Sequence, residues 1–361
     1  MKKIIIIFLL LIYPFNVVAL GNSASANILM DIDSGRVLYS KNMNEKRLIA
    51  SITKIMTSVI ALENANVDDV VTVGEEVLTM YGSNIYIELN EKMTLKNLLY
   101  GLMLRSGNDS AIVIATYVGK SEENFVKMMN KKAKEIGMTN TIFNNSHGLD
   151  EVTQNYSTAK DMALLSKYAM TLPLYREIVS TKNYSVQSDK KSYQWINRNK
   201  LLNLYEYATG GKTGYTPSAG RTLVTSASKD NLNLTAVTLN DPNEYNSHIE
   251  LYEYGFNNYK KYLILDENDF KIDENFYNEK IYINNSFYYP LTKEEANKIK
   301  ILVSIITKED YNNGDVIGDV KVILDDEEIY KDNIYITKKK KLSTIDKICK
   351  FFIELFGGTY D

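Results

Sequence analysis

The chain has 361 residues, with 42 Lys and Arg against 45 Asp and Glu and a formal net charge of −3, too acidic for a generic nucleic-acid binder. One cysteine, Cys349, excludes an intramolecular disulfide. Two histidines, His147 and His248, with no His/Cys cluster and no Gly-x-x-x-x-Gly-Lys loop, argue against a zinc site and a phosphate loop, so neither metal nor cofactor is expected.

The opening MKKIIIIFLLLIYPFNVVALGNSASA places Lys2 and Lys3 before a short apolar run and then Ala24-Ser25-Ala26, the layout of a secretory signal peptide cleaved after Ala26. An uncleaved N-terminal anchor is the other reading. Cleavage there removes two lysines and no acid, taking the charge from −3 to −5. The remainder is long enough for one large core and a smaller one. Residues 27–40 then read as two strands around Asp33-Ser34-Gly35.

IASITKIMTSVIALEN, residues 49–64, reads as a buried helix with Ser51, Lys54 and Ser58 on one polar stripe. A lysine there is costly unless it is paired or used. In one reading Lys54 snorkels its ammonium into water and Ser51 is idle. In the other a desolvated, neutral Lys54 takes the proton of Ser51 and makes a nucleophile without histidine. The spacing alone does not decide, because Ser157/Lys160, Ser188/Lys191 and Ser226/Lys229 share it.

Helices dominate to about residue 180. MTLKNLLYGLMLR starts at an N-cap, Thr94, and ends against Ser106-Gly107-Asn108. In TAKDMALLSKYAM, Thr158 and Asp161 stand at capping-box spacing, so Ser157/Lys160 reads as a helix start. TGGKTGYTPSAG, residues 209–220, holds the only Lys-Thr-Gly. It is either a glycine-rich turn or a strand edge presenting Lys212 and Thr213 to a carboxylate, with Gly214 leaving room for the substrate. Two strands follow at 221–239 around Lys229-Asp230-Asn231, an α/β sandwich order with sheet first, helices in the middle and sheet last.

From about residue 260, short alternating runs (KIYIN, SFYYPL, KIKILVSII, DVIGDVKVILDDEEIY, NIYIT) predict a small all-β domain. The end, KKKKLSTIDKICKFFIELFGGTYD, puts Leu342, Ile345, Ile348, Cys349, Phe352, Leu355 and Phe356 on one helical face behind four lysines. That reads as an interfacial helix on an anionic membrane, with docking on the chain's own β-domain as the alternative.

Ser-x-x-Lys, Ser-x-Asn and Lys-Thr-Gly in this order, within LIASITKIMTSVIALE, LMLRSGNDSA, FNNSHGLDEVTQNYSTAKDMA and GGKTGYTPSAGRTLV, resemble the low-molecular-mass penicillin-binding proteins of the D-alanyl-D-alanine carboxypeptidase family. The resemblance implies a serine β-lactamase/transpeptidase-like α/β (α+β) domain, helices packed on an antiparallel sheet, followed by a small all-β domain. The expected layout is a signal peptide at 1–26, a catalytic domain at 27–258, a β-sandwich at 262–337 and a membrane-surface helix at 338–361.

By the same resemblance, Ser51 is the nucleophile on the penultimate D-alanine carbonyl of a peptidoglycan stem peptide, and Lys54 is its general base. Ser106 relays a proton to the leaving D-alanine, and Asn108 holds the substrate amide or orients Lys54. Lys212 and Thr213 hold the terminal carboxylate with Gly214 beside them, and the N–H groups of Ser51 and Tyr215 form the oxyanion hole. Tyr215 stands where several relatives have histidine. Arg198 is either a second cation for the carboxylate or a surface arginine; His147 and Asp150 lie where the family has a loop bordering the site, and a purely structural histidine is the other reading of His147. β-Lactam antibiotics are the expected covalent inhibitors. A DD-endopeptidase, a serine β-lactamase and a catalytically retired wall-binding protein are the rival functions. The class A β-lactamase lacks its expected Glu-x-x-x-Asn loop here, and its middle motif favours Ser-Asp-Asn over Ser-Gly-Asn.

Overall fold

The computed structural model describes residues 21–337 apart from 273–275, 278 and 309, so the predicted apolar leader core and the predicted C-terminal helix lie outside the described residues. The described chain divides into two compact units, one running to Asn257 without Asp230–Leu232, the other formed by those three residues and the chain from Asn258.

The first unit is built on five strands, β1 (Ala26–Asp31), β2 (Val37–Lys41), β3 (Ala208–Thr216), β4 (Gly220–Lys229) and β5 (Leu232–Leu239), in the order β2-β1-β5-β4-β3. β1 runs antiparallel to both neighbours and β3 runs antiparallel to β4. The predicted hairpins form for local reasons. Asp31 Oδ2 accepts hydrogen bonds from the N–H and hydroxyl of Ser34, closing the β1–β2 turn, and Gly35 takes φ +82°. Asp230 and Asn231 both have positive φ, as a two-residue hairpin turn demands.

Among its described residues this unit also holds seven longer helices, α1 (Lys54–Asn64), α2 (Leu95–Arg105), α3 (Asn108–Gly119), α4 (Glu122–Glu135), α5 (Ala159–Ala169), α6 (Pro173–Ser180) and α7 (Glu244–Asn258), and three short two-stranded sheets. Thr94 and Thr158 cap α2 and α5 by accepting from the N–H groups of Asn97 and Asp161. α1 is the central helix, its first eight residues all buried, and its Ile55, Met56, Val59 and Ile60 share one core with Ile28 and Met30 of β1. α7 packs closely on the sheet: a Cβ on Gly255 would stand 2.6 Å from Leu234 and 2.9 Å from Leu29.

Three details differ from the sequence reading. Ser51 is not in the α-helix: it sits in a 3₁₀ turn, Ala50–Thr53, that leads into α1, so Ser51 and Lys54 do not share one regular helical stripe. Residues Ala24 and Ala26 are fully buried, Ser25 N–H donates to Leu239 O, and Ala26 is the first residue of β1, so the segment before the expected cleavage point is woven into the sheet. EEIY and the NIYI of NIYIT are not separate runs but parts of one strand, Glu327–Ile336.

The second unit holds β6 (Lys260–Leu265), β7 (Ile281–Tyr282), β8 (Phe287–Leu291), β9 (Lys300–Ile305), β10 (Val316–Leu324) and β11 (Glu327–Ile336). β6 pairs with β8, and the other four form a sheet in the order β7-β11-β10-β9. Asp325 and Asp326, both at positive φ, make the β10–β11 turn. Ile317, Val320, Val322, Ile334 and Ile336 form its small core.

Candidate active site

The lysine of the first motif is fully buried, which removes the snorkelling reading. Lys54 Nζ lies 3.1 Å from Ser51 Oγ, 2.7 Å from Asn108 Oδ1 and 2.5 Å from the carbonyl oxygen of His147. Asn108 Nδ2 donates to Tyr81 O at 2.7 Å, so that amide turns its oxygen to the lysine. Burial, then the charge of Lys212, pushes the Lys54 amine well below its ordinary pKa. Ser58 spends its hydroxyl on the carbonyl of Lys54 at 2.9 Å and does not reach the amine.

Two backbone conformations aim the serines. Ala50, just before Ser51, has φ +47°, and Ser106, closing α2, has φ +63°; both lie in the left-handed region that side chains avoid without compensation. Ser106 is buried, and its hydroxyl makes no hydrogen bond among the described residues. Asn108 N–H donates to Ser83 O at 2.7 Å, and Asp109 accepts from the N–H groups of Ile85, Tyr86 and Ile87, pinning the second motif to the 83–87 segment.

Lys212, Thr213, Gly214 and Tyr215 lie on β3, the sheet's edge strand, as the strand-edge reading expects. Arg221 pairs with Tyr215, and Arg221 O accepts from Asp241 N–H at 2.9 Å, so the Arg221 backbone groups turn away from β3. The pair is therefore the non-hydrogen-bonded kind, which sends the Tyr215 N–H off the free edge. Lys212 is buried and donates to Thr213 O at 2.6 Å; burial, with Arg198 nearby, lowers its pKa to about 7. Gly214 serves a closer neighbour than a substrate: a Cβ there would stand 3.0 Å from Ser51 N and collide with the Thr222 hydroxyl.

A cavity of about 560 Å³ joins Ser51, Ser106, Thr213, Gly214, Tyr215 and Arg198. Arg198 is aimed by a 2.7 Å hydrogen bond from Nη1 to Ser83 Oγ. His147 lends its backbone carbonyl; its ring Nδ1 accepts from Leu149 N–H, and burial lowers its pKa to about 3, leaving the ring neutral. Asp150 accepts from Thr216 Oγ1 at 2.6 Å, tying this loop to the end of β3.

The loop's supports were not visible in the sequence. Asn155 Oδ1 accepts from the N–H groups of Asn144 and Asn145, while its Nδ2 donates to Thr53 Oγ1 and to Asn145. Glu122 Oε1 accepts from both the N–H and the hydroxyl of Ser146. The Thr53 and Glu122 contacts join segments far apart in sequence, and only the run of polar residues in FNNSHGLDEVTQN hinted at a buried polar loop.

Residues 15–243 match the family described as D-alanyl-D-alanine carboxypeptidase, nearly two thirds of the chain. The chain belongs to that family. Residues 260–341 match the C-terminal domain of penicillin-binding protein 5. D-alanyl-D-alanine carboxypeptidase DacF of Bacillus subtilis (strain 168) is 34% identical over 337 residues, covering 90% of this chain and 82% of the relative. DacC of Escherichia coli (strain K12) is 37% identical over 254 residues, 64% of this chain and 61% of the relative. Penicillin binding protein 5 from Haemophilus influenzae superposes with a TM-score of 0.75 at 28% identity, over 88% of this chain and 97% of that one. The chain is thus a serine-type D-Ala-D-Ala carboxypeptidase, a hydrolase with a penicillin-binding-protein fold and an all-β C-terminal domain. No helix among the described residues is long and apolar enough to cross a membrane.

Proposed function

We propose that the chain removes the terminal D-alanine from peptidoglycan pentapeptides through an acyl-enzyme on Ser51, and that β-lactams acylate the same oxygen. The observation that carries this reading is the partner set of Lys54. A neutral amine has two N–H groups and one lone pair. Asn108 Oδ1 and His147 O are both acceptors, so they take the two N–H groups and leave the lone pair for the Ser51 hydroxyl.

In the proposed cycle Ser51 Oγ bonds to the penultimate D-alanine carbonyl carbon as its proton passes to Lys54. The oxyanion is held by the N–H groups of Ser51 and Tyr215, each such donor being worth about 10² to 10³ in rate. Collapse breaks the C–N bond, and Ser106 passes a proton from Lys54 to the leaving D-alanine nitrogen. Water then attacks the ester with Lys54 again as base, releasing the shortened peptide. Lys212, Thr213 and Arg198 hold the terminal carboxylate, and Gly214 lets β3 approach Ser51.

We further propose that the chain is exported by its N-terminal leader and held at the outer face of the cytoplasmic membrane by residues 338–361. The leader would end ahead of Ala24, because Ala24 to Ala26 are built into the fold. The catalytic domain is assigned to residues up to 258 and the β-domain to 262–337, as the sequence layout has it. Incubation with a muramyl pentapeptide tests the activity: the wild-type protein should release one D-alanine per peptide and Ser51→Ala none. Release by Ser51→Ala at the wild-type rate would overturn the assignment.

A further inference from the structure

The cavity that holds Ser51 does not stop at Thr213. It passes the free edge of β3 and takes in Arg221 of β4 and Glu244 and Tyr245 at the start of α7. Resting on the proposed reading of the site, we infer that Arg221 binds the substrate's terminal carboxylate and that Glu244 is the positioning residue that aims its guanidinium.

Register places the groups. Directly opposed residues of an antiparallel pair share a face, and so do residues two apart on a strand. Arg221 opposes Tyr215, and Thr213 is two residues back along β3, so Arg221, Tyr215 and Thr213 share one face. In a non-hydrogen-bonded pair the side chains stand close. The Arg221 guanidinium accordingly lies 5.6 Å from the centre of the Tyr215 ring.

The ion pair has the shape of a mount rather than a staple. Glu244 Oε1 accepts from Arg221 Nη1 at 3.3 Å, and the carboxylate side chain is 10% exposed while the arginine is 55% exposed. A half-exposed pair of this length contributes little to stability. Glu244 gains from the first turn of α7, where the helix dipole favours an acid. The rest of the guanidinium fork has no protein acceptor among the described residues and fits a carboxylate in two-point contact. Tyr245, the next residue of α7, donates to Arg198 O at 3.2 Å, so the same helix start also steadies the segment carrying Arg198.

Lys212 is buried and loses its charge near pH 7, whereas a guanidinium keeps its charge throughout.

The experiment compares the full chain with Arg221→Gln, Arg221→Lys and Glu244→Gln on a D-Ala-D-Ala peptide acid and its C-terminal amide. Arg221→Gln should lower kcat/KM for the acid about ten- to hundredfold, mainly through KM, and leave the amide unchanged. Arg221→Lys should recover part of the loss. Glu244→Gln should lower acid selectivity by a smaller factor, and in Arg221→Gln activity on the acid should fall more steeply above pH 7 than in the wild type. An acid-to-amide preference identical in Arg221→Gln and wild type overturns the inference, as does equal loss on both substrates. Saturating penicillin separates the two proposals: an unlabelled Ser51 in the wild type overturns the reading of the site, whereas a labelled one leaves only the role of Arg221 at stake.

Discussion

Asn108 Oδ1 accepts from Lys54 Nζ at 2.7 Å while the other end of the same amide donates to Tyr81 O. The amide cannot flip without placing two donors face to face, so its neutral oxygen is locked against the base. A neutral acceptor here lets the amine lose its charge; an anionic one would hold it. Asn108→Asp should therefore raise the pKa of Lys54, since an opposite charge within a few ångströms favours the ammonium. Penicillin acylation near pH 7 should fall about 10²-fold or more and recover as pH rises. An unchanged pH profile of acylation would mean that Lys54 is not the proton acceptor.

Gly148 has φ +89°, and a Cβ there would fall against the carbonyl of Ala50, next to Ser51. Gly148→Ala should push the 145–150 loop away and withdraw the His147 carbonyl from Lys54. The expected result is strongly slowed acylation with near-native far-UV circular dichroism, because α1 and the sheet core are not touched. Wild-type acylation would show that the carbonyl is dispensable.

Lys212 is charged below about pH 7 and neutral above it, and the substrate carboxylate is ionised throughout the working range. Their attraction is therefore present below pH 7 and lost as pH rises through it. For a D-Ala-D-Ala peptide acid, kcat/KM should fall severalfold on that side; the C-terminal amide, which has no carboxylate, should show no such limb. Superimposable alkaline limbs for acid and amide would assign Lys212 another role.

The three motifs were legible because each is short and local. Ser51 and Lys54 are three residues apart, and Thr94 and Thr158 announce their helices by cap chemistry. What spacing could not give was conformation: Ile49 to Asn64 reads as one helix, yet Ala50 at φ +47° breaks it and sets Ser51 in a 3₁₀ turn. Long-range partners were equally hidden. Nothing local to Thr53 or Glu122 says that they hold the loop carrying His147, through Asn155 and Ser146, and Arg221 joins the cavity only because β4 pairs with β3 in one register. In the β-domain the charged KD inside EEIYKDNIYI looked like a turn, but Lys331 and Asp332 continue β11, paired with Lys321 and Val320 of β10.

Leu342, Ile345, Ile348, Phe352, Leu355 and Phe356 offer roughly 1.5 to 3 kcal/mol each on full burial, and Lys338 to Lys341 add about 1 kcal/mol each near an anionic surface. Truncation after Thr337 should give an enzyme that still hydrolyses small peptides but no longer sediments with anionic vesicles. High salt should weaken the binding of the full chain without abolishing it. Equal sedimentation of both proteins would show that the tail is not the anchor, and an unfolded β-domain on truncation would favour a helix docked on the protein itself.

The proposed chemistry depends on Lys54 activating Ser51. Peptide-level mass spectrometry after brief exposure to penicillin addresses it directly, with wild type and Lys54→Ala side by side. One adduct is expected, on Ser51 in the 3₁₀ turn before α1, formed quickly by the wild type and not by Lys54→Ala. An adduct on another serine, or Ser51 labelled at the wild-type rate without Lys54, contradicts it.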